Sequence, residues 1–140
     1  MLSKKQARTF FVGGTIFFFG IFLFLTYDTI SNHIDKQTHT KNLTKEVVRG
    51  KLIFDKNNCM GCHTILGEGA YYAPELTKVY DRRGSEWIKI FLKDPQAMYP
   101  GKRKMPNYGF TEKEMEDLIS FFKWIGEIDL NGFPPEPDLD

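Results

Sequence analysis

Cys59-Met60-Gly61-Cys62-His63 is the stretch of sequence that decides the fold. It holds both cysteines of the 140-residue chain, and a histidine follows the second thiol directly. The C-x-x-C-H pattern is typical of covalent haem attachment. Thiols at positions i and i+3 of a helical turn share one face, so both can bond vinyl groups on one porphyrin edge. The histidine that follows can then become the proximal ligand of the iron.

Two other kinds of site use cysteines at this spacing, namely a thioredoxin-like redox pair and one half of a zinc site. A redox pair is expected beside a βαβ pattern, and we find no strand pattern in this sequence. A zinc site needs a second pair of ligands, whereas His33 and His39 lie in a polar stretch where we expect them to be solvated. We therefore predict one haem c bonded to Cys59 and Cys62, with His63 on the iron.

The N-terminal part contains an uncharged and almost wholly apolar stretch, Thr9–Tyr27. A run of about 20 such residues can cross a bilayer as a helix. A cleaved signal peptide is the alternative, but its apolar part is shorter and no A-x-A-like cleavage site follows here. Lys4, Lys5 and Arg8 precede the stretch, so the positive-inside rule keeps the N-terminus in the cytoplasm. We predict a single-pass protein of the bacterial inner membrane, with everything after Tyr27 on the periplasmic side.

Composition divides the chain into four segments. We predict a cytoplasmic N-terminus and transmembrane anchor in residues 1–27, a polar linker in 28–42, a haem domain in 43–130 and an extended acidic, proline-rich tail in 131–140. The fold class is mainly α, with one N-terminal transmembrane helix and a helical haem domain.

Three polar residues are placed to cap the helices of the haem domain: Thr44, Ser85 and Thr111. Thr111 and Glu114 match the capping-box pattern, and the apolar periodicity that follows predicts a helix to about Glu127. Between the second and third of these helices, we expect residues 95–106 to be irregular.

The second axial ligand of the iron is a methionine, a second histidine or an open position. Met105-Pro106 lies in a polar loop just before the last helix, where a core role for the thioether is unfavourable. We favour Met105, and Met98, in a similar loop, is the alternative. Thioether ligation raises the reduction potential relative to two histidines, which suits an acceptor of electrons.

Charge is balanced overall but segregated along the chain. The formal net charge is +1, which gives no support for nucleic-acid binding. Basic residues concentrate in 78–104 and acidic residues in 111–140. This pattern indicates either an ordinary solvated surface or a dipole that orients a redox partner or a larger subunit.

Motifs along nearly the whole chain carry a family resemblance. The order of a helix with Gly50 and Phe54, the C-x-x-C-H turn, a Met-Pro loop and a closing aromatic helix resembles class I single-haem cytochromes c. The resemblance is closer still to the small cytochrome c subunit of bacterial nitric oxide reductases. The segments that carry this closer similarity are Val48-Arg49-Gly50-Lys51, Gly67-Glu68-Gly69-Ala70-Tyr71, Ala73-Pro74-Glu75-Leu76, Arg82-Arg83-Gly84, Met105-Pro106, Phe122-Lys123-Trp124, Ile128-Asp129 and Asn131-Gly132.

The resemblance implies both a function and further site residues. The Pro74 carbonyl would orient the His63 imidazole. The chain would take electrons from a soluble periplasmic cytochrome c or small copper protein. It would pass them to a large polytopic subunit with haem b and a haem b3/non-haem iron centre, which converts two NO molecules into N2O. Backbone oxygens of Gly69 and Tyr71 would help to hold a calcium ion (Ca2+) between the two subunits. The chain itself would have no catalytic residue.

Two other functions remain compatible with the sequence. One is a free-standing, membrane-tethered electron shuttle, or the cytochrome subunit of a different terminal reductase. The other is a haem-based ligand sensor or peroxidase-like site, which requires an open sixth position and is disfavoured if Met105 binds the iron.

Overall fold

The computed structural model describes residues 3–101 and 105–132 of the chain. These residues form two separate units, one within 1–37 and the other within 38–140. The α-helices are α1 Lys4–Asp28, α2 Ile34–Thr38, α3 Lys45–Lys56, α4 Val79–Lys93, α5 Pro95–Met98 and α6 Glu112–Glu127. The strands β1 Thr64–Ile65 and β2 Glu68–Gly69 form an antiparallel hairpin. The predicted mainly α fold class is confirmed.

The N-terminal unit is one long helical segment. No residue of α1, all of which the structure describes, is buried. The helix continues through a π-helical turn, Thr29–His33, into α2, so that the helical run from Lys4 to Thr38 is long and apolar enough to cross a membrane. The anchor predicted for Thr9–Tyr27 is therefore a helix, as expected.

The helix extends further than the sequence suggested, because we expected 28–42 to be a linker without helical structure. Two side-chain contacts cross the π-helical turn: Asn32 Nδ2 donates to Asp28 Oδ1 at 2.8 Å, and His33 Nε2 lies 3.3 Å from Asp28 Oδ2. No residue of the turn or of α2, both fully described, is buried. A helix exposed on all sides needs no apolar stripe, so periodicity could not reveal it.

The second unit is built on the crossing of α3 and α6. Gly50 of α3 lies against the backbone of α6, where a Cβ on Gly50 would fall 2.0 Å from the Asp117 carbonyl oxygen. Phe54, one turn later, is 1% exposed and packs against Phe121 and Phe122. The absent side chain at Gly50 thus lets the two helices approach until their aromatic residues interlock.

The predicted caps of α3 and α6 are confirmed. The Thr44 side chain accepts from the Val47 amide, and α3 begins at the next residue, Lys45. Thr111 and Glu114 form the full capping box, and α6 ends at Glu127.

Three local features differ from the prediction. First, helical structure begins at Val79, earlier than predicted; Gly84 breaks the helical geometry of α4 with φ 74° and ψ 166°, and the helix predicted after Ser85 follows this break. Second, Pro95–Met98 is a short helix, because the Asp94 side chain accepts from the Gln96 and Ala97 amides at its start. Third, the hairpin was not foreseen, since strands of two residues are too short to show alternation.

Two predicted features lie largely outside the described residues. They are the basic triplet Lys102-Arg103-Lys104 and most of the tail predicted for 131–140, of which only Asn131 and Gly132 are described.

Candidate haem-attachment site

The C-x-x-C-H stretch folds as a tight turn immediately after α3. Asn58 adopts the left-handed conformation with φ 50°, and Cys59–Gly61 form one turn of 3-10 helix. The Cys59 carbonyl accepts from the amides of Cys62 and His63 at 3.1 and 2.9 Å. These two hydrogen bonds therefore fix the backbone between the two thiols and the histidine.

The two thiols are not joined in a disulfide and lie in different surroundings. Cys59 is half-buried, and Cys62 is exposed. Burial, followed by the negative charge of Asp55, raises the pKa of the Cys59 thiol to about 11. A redox pair needs a lowered thiol pKa, so this environment does not favour a thioredoxin-like site.

His63 is held from behind by a main-chain carbonyl. Its Nδ1 atom lies 2.7 Å from the Pro74 oxygen, and this distance is that of a hydrogen bond in which Nδ1–H donates. The same contact fixes the tautomer, because the proton on Nδ1 leaves the Nε2 lone pair free for a metal.

The hairpin places Gly69 directly against the attachment turn. A Cβ at Gly69, which has φ 117°, would lie 2.2 Å from the His63 carbonyl oxygen. The next residue, Ala70, donates its amide to the Met60 carbonyl at 3.0 Å. The close approach of position 69 to the His63 carbonyl thus requires a glycine.

The loop of the hairpin has two residues. Leu66 and Gly67, with φ 52° and 82°, form this loop, as in a type I′ turn.

Tyr71, the other residue of the predicted calcium site, lies on the surface just after β2. Its side chain is 87% exposed, and the neighbouring Tyr72 is 56% exposed. Among the described residues, no cluster of three or more His, Cys, Asp or Glu side chains forms that could hold a metal ion.

Met105 opens the loop that leads to α6. Its side chain is partly buried and packs against the core, and its carbonyl accepts from Gln96 Nε2 at 3.0 Å. Tyr108, in the same loop, has a pKa raised by burial and then by the charges of Cys59 and Cys62, so Tyr108 itself lies near the two cysteines. Met98 is half-buried at the last position of α5.

These residues fit a covalently attached haem. The turn presents the thiols and the imidazole together, the histidine is oriented with Nε2 free, and Met105 packs against the same core as Cys59. Five of the partly buried apolar side chains that pack against the core are Ile53, Met60, Leu76, Met105 and Phe110.

Two features near the site were not predicted from the sequence. Thr77 is fully buried and hydrogen-bonded to Glu75, and the Asp117 carboxylate, 3% exposed, accepts two hydrogen bonds of 2.8 Å from Arg49. Burial of a threonine or an aspartate leaves no mark in sequence periodicity when each residue stands alone. Only the Arg49–Asp117 pair had a possible signal, as opposite charges on two of the predicted helices.

Comparison with known proteins agrees with this geometry. The family model of cytochrome c matches residues 47–126. The nitric oxide reductase C subunit of Stutzerimonas stutzeri is 41% identical over 97% of this chain and 96% of its own length. The corresponding C subunits of Halomonas halodenitrificans and Paracoccus denitrificans are 41% and 38% identical, over 97% and 96% of this chain and 96% and 95% of their lengths.

These similarities cover the N-terminal helix as well as the haem domain. The cytochrome c family implies a covalently attached haem c, and the helix that could span a membrane implies an anchored protein. The chain belongs to the cytochrome c family and, within it, to the C subunits of nitric oxide reductase, the membrane-anchored cytochrome components of that enzyme.

Proposed function

We propose that this chain receives electrons one at a time from soluble periplasmic donors, a cytochrome c or a small copper protein. It passes them to the haem b of the large catalytic subunit of nitric oxide reductase. The observation that carries the proposal is the similarity to nitric oxide reductase C subunits over 97% of the chain, anchor included. When bound, the haem iron supplies a one-electron ferric/ferrous couple. Reduction of NO takes place in the large subunit, which holds haem b3 and non-haem iron.

The residues of this chain have three tasks in such a transfer. Cys59 and Cys62 would hold the haem, His63 would bind its iron through Nε2, and the Pro74 carbonyl would keep the imidazole in that orientation. The fixed turn and the fixed imidazole keep reorganisation small when the charge of the iron changes.

A comparison of histidine variants tests the assignment. In the complex of this chain with its large subunit, His63→Gly is expected to abolish NO turnover driven by the periplasmic donor. The haem b spectra should stay intact, and a small reductant that reduces haem b directly should restore turnover. His39→Gly is the matched control, because His39 lies outside the attachment turn. Unchanged donor-driven turnover in His63→Gly would disprove the electron route.

We also propose Met105 as the second axial ligand. The packing of its side chain against the same core as Cys59 supports the assignment, and Met98 is the alternative. Met105→Ala should remove the thioether-to-iron charge-transfer band of the oxidised protein and lower its reduction potential, while Met98→Ala should keep both. The opposite pair of results would transfer the ligand role to Met98.

Calcium at the subunit interface is a further part of the proposal. The exposure of Tyr71 and the close packing of Gly69 on the attachment turn mean that a ligand bound by their backbone oxygens would lie between the haem site and the surface. A chelator should weaken the association of the two subunits, and added calcium should restore it. Association that is insensitive to both treatments would contradict a calcium ion at the interface.

We place the anchor in the inner membrane, with residues 1–27 as cytoplasmic N-terminus and span and the haem domain of 43–130 in the periplasm. The basic residues before the apolar stretch support this orientation. Alkaline phosphatase fused after Asp140 of the full-length chain should be active in a bacterial host. The topology would be contradicted if this fusion were inactive while a fusion with an export signal in place of the anchor was active.

A further inference from the structure

Two segments of the haem domain, residues 62–66 and 73–77, run side by side and are joined by four hydrogen bonds. We call this set of contacts the His63 ladder. In chain order its rungs are Ala73 N to Cys62 O at 2.8 Å, His63 Nδ1 to Pro74 O at 2.7 Å, Leu76 N to Thr64 O at 2.9 Å, and Leu66 N to Thr77 Oγ1 at 2.7 Å. Hydrogen bonds of Ala73 and of Leu76, before and after Pro74 in the chain, therefore fix the position of the Pro74 carbonyl.

The last rung of the ladder depends on the identity of a side chain. Thr77 is 0% exposed, and its hydroxyl both accepts from the Leu66 amide and donates to Glu75 Oε1. The Thr77 amide donates to the same carboxylate oxygen at 2.6 Å. Without the buried hydroxyl, the Leu66 amide and the Glu75 carboxylate would each lose a hydrogen-bond partner, which would loosen the two segments.

Glu75 follows Pro74 directly and is held from outside by Arg82 in α4. Arg82 Nη1 lies 3.6 Å from Glu75 Oε2, and Arg82 Nη2 donates to the Glu75 main-chain carbonyl. The guanidinium fork thus holds both the carboxylate and the backbone of the residue next to Pro74, a geometry that a lysine cannot reproduce.

We propose that Thr77, Glu75 and Arg82 are positioning residues that hold the Pro74 carbonyl on His63 Nδ1 and thereby set the reduction potential of the haem. The proposal rests on the proposed role of His63 as iron ligand. A firm Nδ1–H···O=C bond makes the imidazole a stronger donor to the iron, which favours the ferric state. Loosening the ladder weakens that bond, so the ferric state loses more stabilisation than the ferrous state and the potential rises.

The primary test compares Thr77→Val with Thr77→Ser in the haem-loaded full-length chain. Valine keeps the shape but removes the hydroxyl, and serine keeps the hydroxyl. Thr77→Val should shift the one-electron equilibrium toward reduction by about threefold or more, or about 28 mV at 59 mV per tenfold. The His63 Nδ1 proton of the ferrous protein should also exchange faster with water. Thr77→Ser should match the wild type in both measurements.

A second pair of variants keeps the test decisive if Thr77→Val does not fold. Arg82→Lys retains the positive charge but cannot contact the Glu75 carboxylate and carbonyl together. Because one of the two contacts can remain, this variant should raise the reduction potential by less than Thr77→Val does. The control is Arg83→Lys, since Arg83 carries the same charge but stacks over Trp87, 4.8 Å from the ring centre. The proposal would be overturned if Thr77→Val and Arg82→Lys lowered the midpoint of thermal unfolding but left the reduction potential and the exchange rate of the His63 Nδ1 proton at wild-type values. A wild-type protein without histidine-ligated haem c would instead refute the proposed function itself.

Discussion

The first and last α-helices of the described chain are both rich in large apolar residues, yet they use them in opposite ways. In α1 the phenylalanines are exposed, with Phe18 at 69%, whereas in α6 Phe121 is 1% exposed. α6 buries its apolar face against α3 and α4, and α1 has no buried residue along its whole described length. A bilayer can cover the apolar surface of α1, whereas the apolar surface of α6 forms part of the core of the haem domain. Substitutions in α1 should therefore leave the stability of the haem domain unchanged, and substitutions in α6 should leave membrane attachment unchanged.

Removal of the N-terminal unit is expected to have the largest effect. Produced in a host without the large subunit, a chain in which residues 1–37 are replaced by a cleavable signal peptide should leave the membrane fraction completely, because the apolar helix is gone. Its haem spectrum and reduction potential should stay as in the full-length chain, because the core lies in the second unit. Fractionation and visible spectroscopy check both points. A shortened chain that remains in the membrane would show that the haem domain binds there by itself.

The addition of one methyl group distinguishes the two regions next. Gly50→Ala places a Cβ 2.0 Å from the Asp117 carbonyl oxygen, so α3 and α6 must separate. We expect this change to destabilise the haem domain by about 3 kcal/mol or more, measured by denaturant unfolding. Gly13→Ala in α1 is the matched control, because no heavy atom of the described chain beyond the neighbouring residues and the local helix backbone lies within 4 Å of its new Cβ. Equal stability of the two variants would contradict the close helix crossing.

Loss of a phenyl ring should have a comparable but slightly smaller effect. Phe54→Ala removes a 1%-exposed ring from between Phe121 and Phe122 and should cost about 3 kcal/mol of unfolding free energy. Phe18→Ala, in the anchor, should leave the unfolding of the haem domain unchanged. If Phe18→Ala destabilised the haem domain, the two regions would not be independent.

The buried ion pair gives the smallest effect and depends on pH. Hydrogen bonds from Arg49 hold the pKa of Asp117 below its ordinary 3.8 in the folded chain. Because the folded pKa is lowered, the pair stabilises the fold above pH 3.8, and this contribution is lost as the pH falls through the folded pKa. Asp117→Asn should cost about 2 kcal/mol at neutral pH and less in acid.

Asp55→Asn is the control for that pH dependence, since the Asp55 carboxylate is half-exposed and pairs with Lys51 on the same helix. Its unfolding free energy should stay close to that of the wild type at each pH. A parallel pH dependence for Asp117→Asn and the wild type would show that the pair does not stabilise the crossing.

Local chemistry explains why α3 and α6 could be predicted from the sequence. Each helix combines a capping residue, Thr44 or Thr111, with an apolar stripe of helical period, and both signals depend on neighbours within a few residues. The C-x-x-C-H turn is equally local. The helical continuation after Asp28 lacked such a stripe, because that segment is exposed on all sides.

The part of the site that could not be predicted is the part made by contacts between segments. Thr77 looks like any loop threonine until the fold brings Leu66 to its hydroxyl, 11 residues away in sequence. Gly69 was assigned a ligand role through family resemblance alone. The structure adds a steric reason for it, since the His63 carbonyl occupies the place of a side chain.

The central claim is that this chain is the electron-transfer subunit of a larger reductase, and purification from native membranes tests it most directly. A tag on the chain should recover, in mild detergent, a large partner that contains haem b, and the complex should reduce NO with electrons from a periplasmic donor. A chain that purifies with its haem c but without any haem b-containing partner would contradict the claim and would identify a membrane-tethered shuttle.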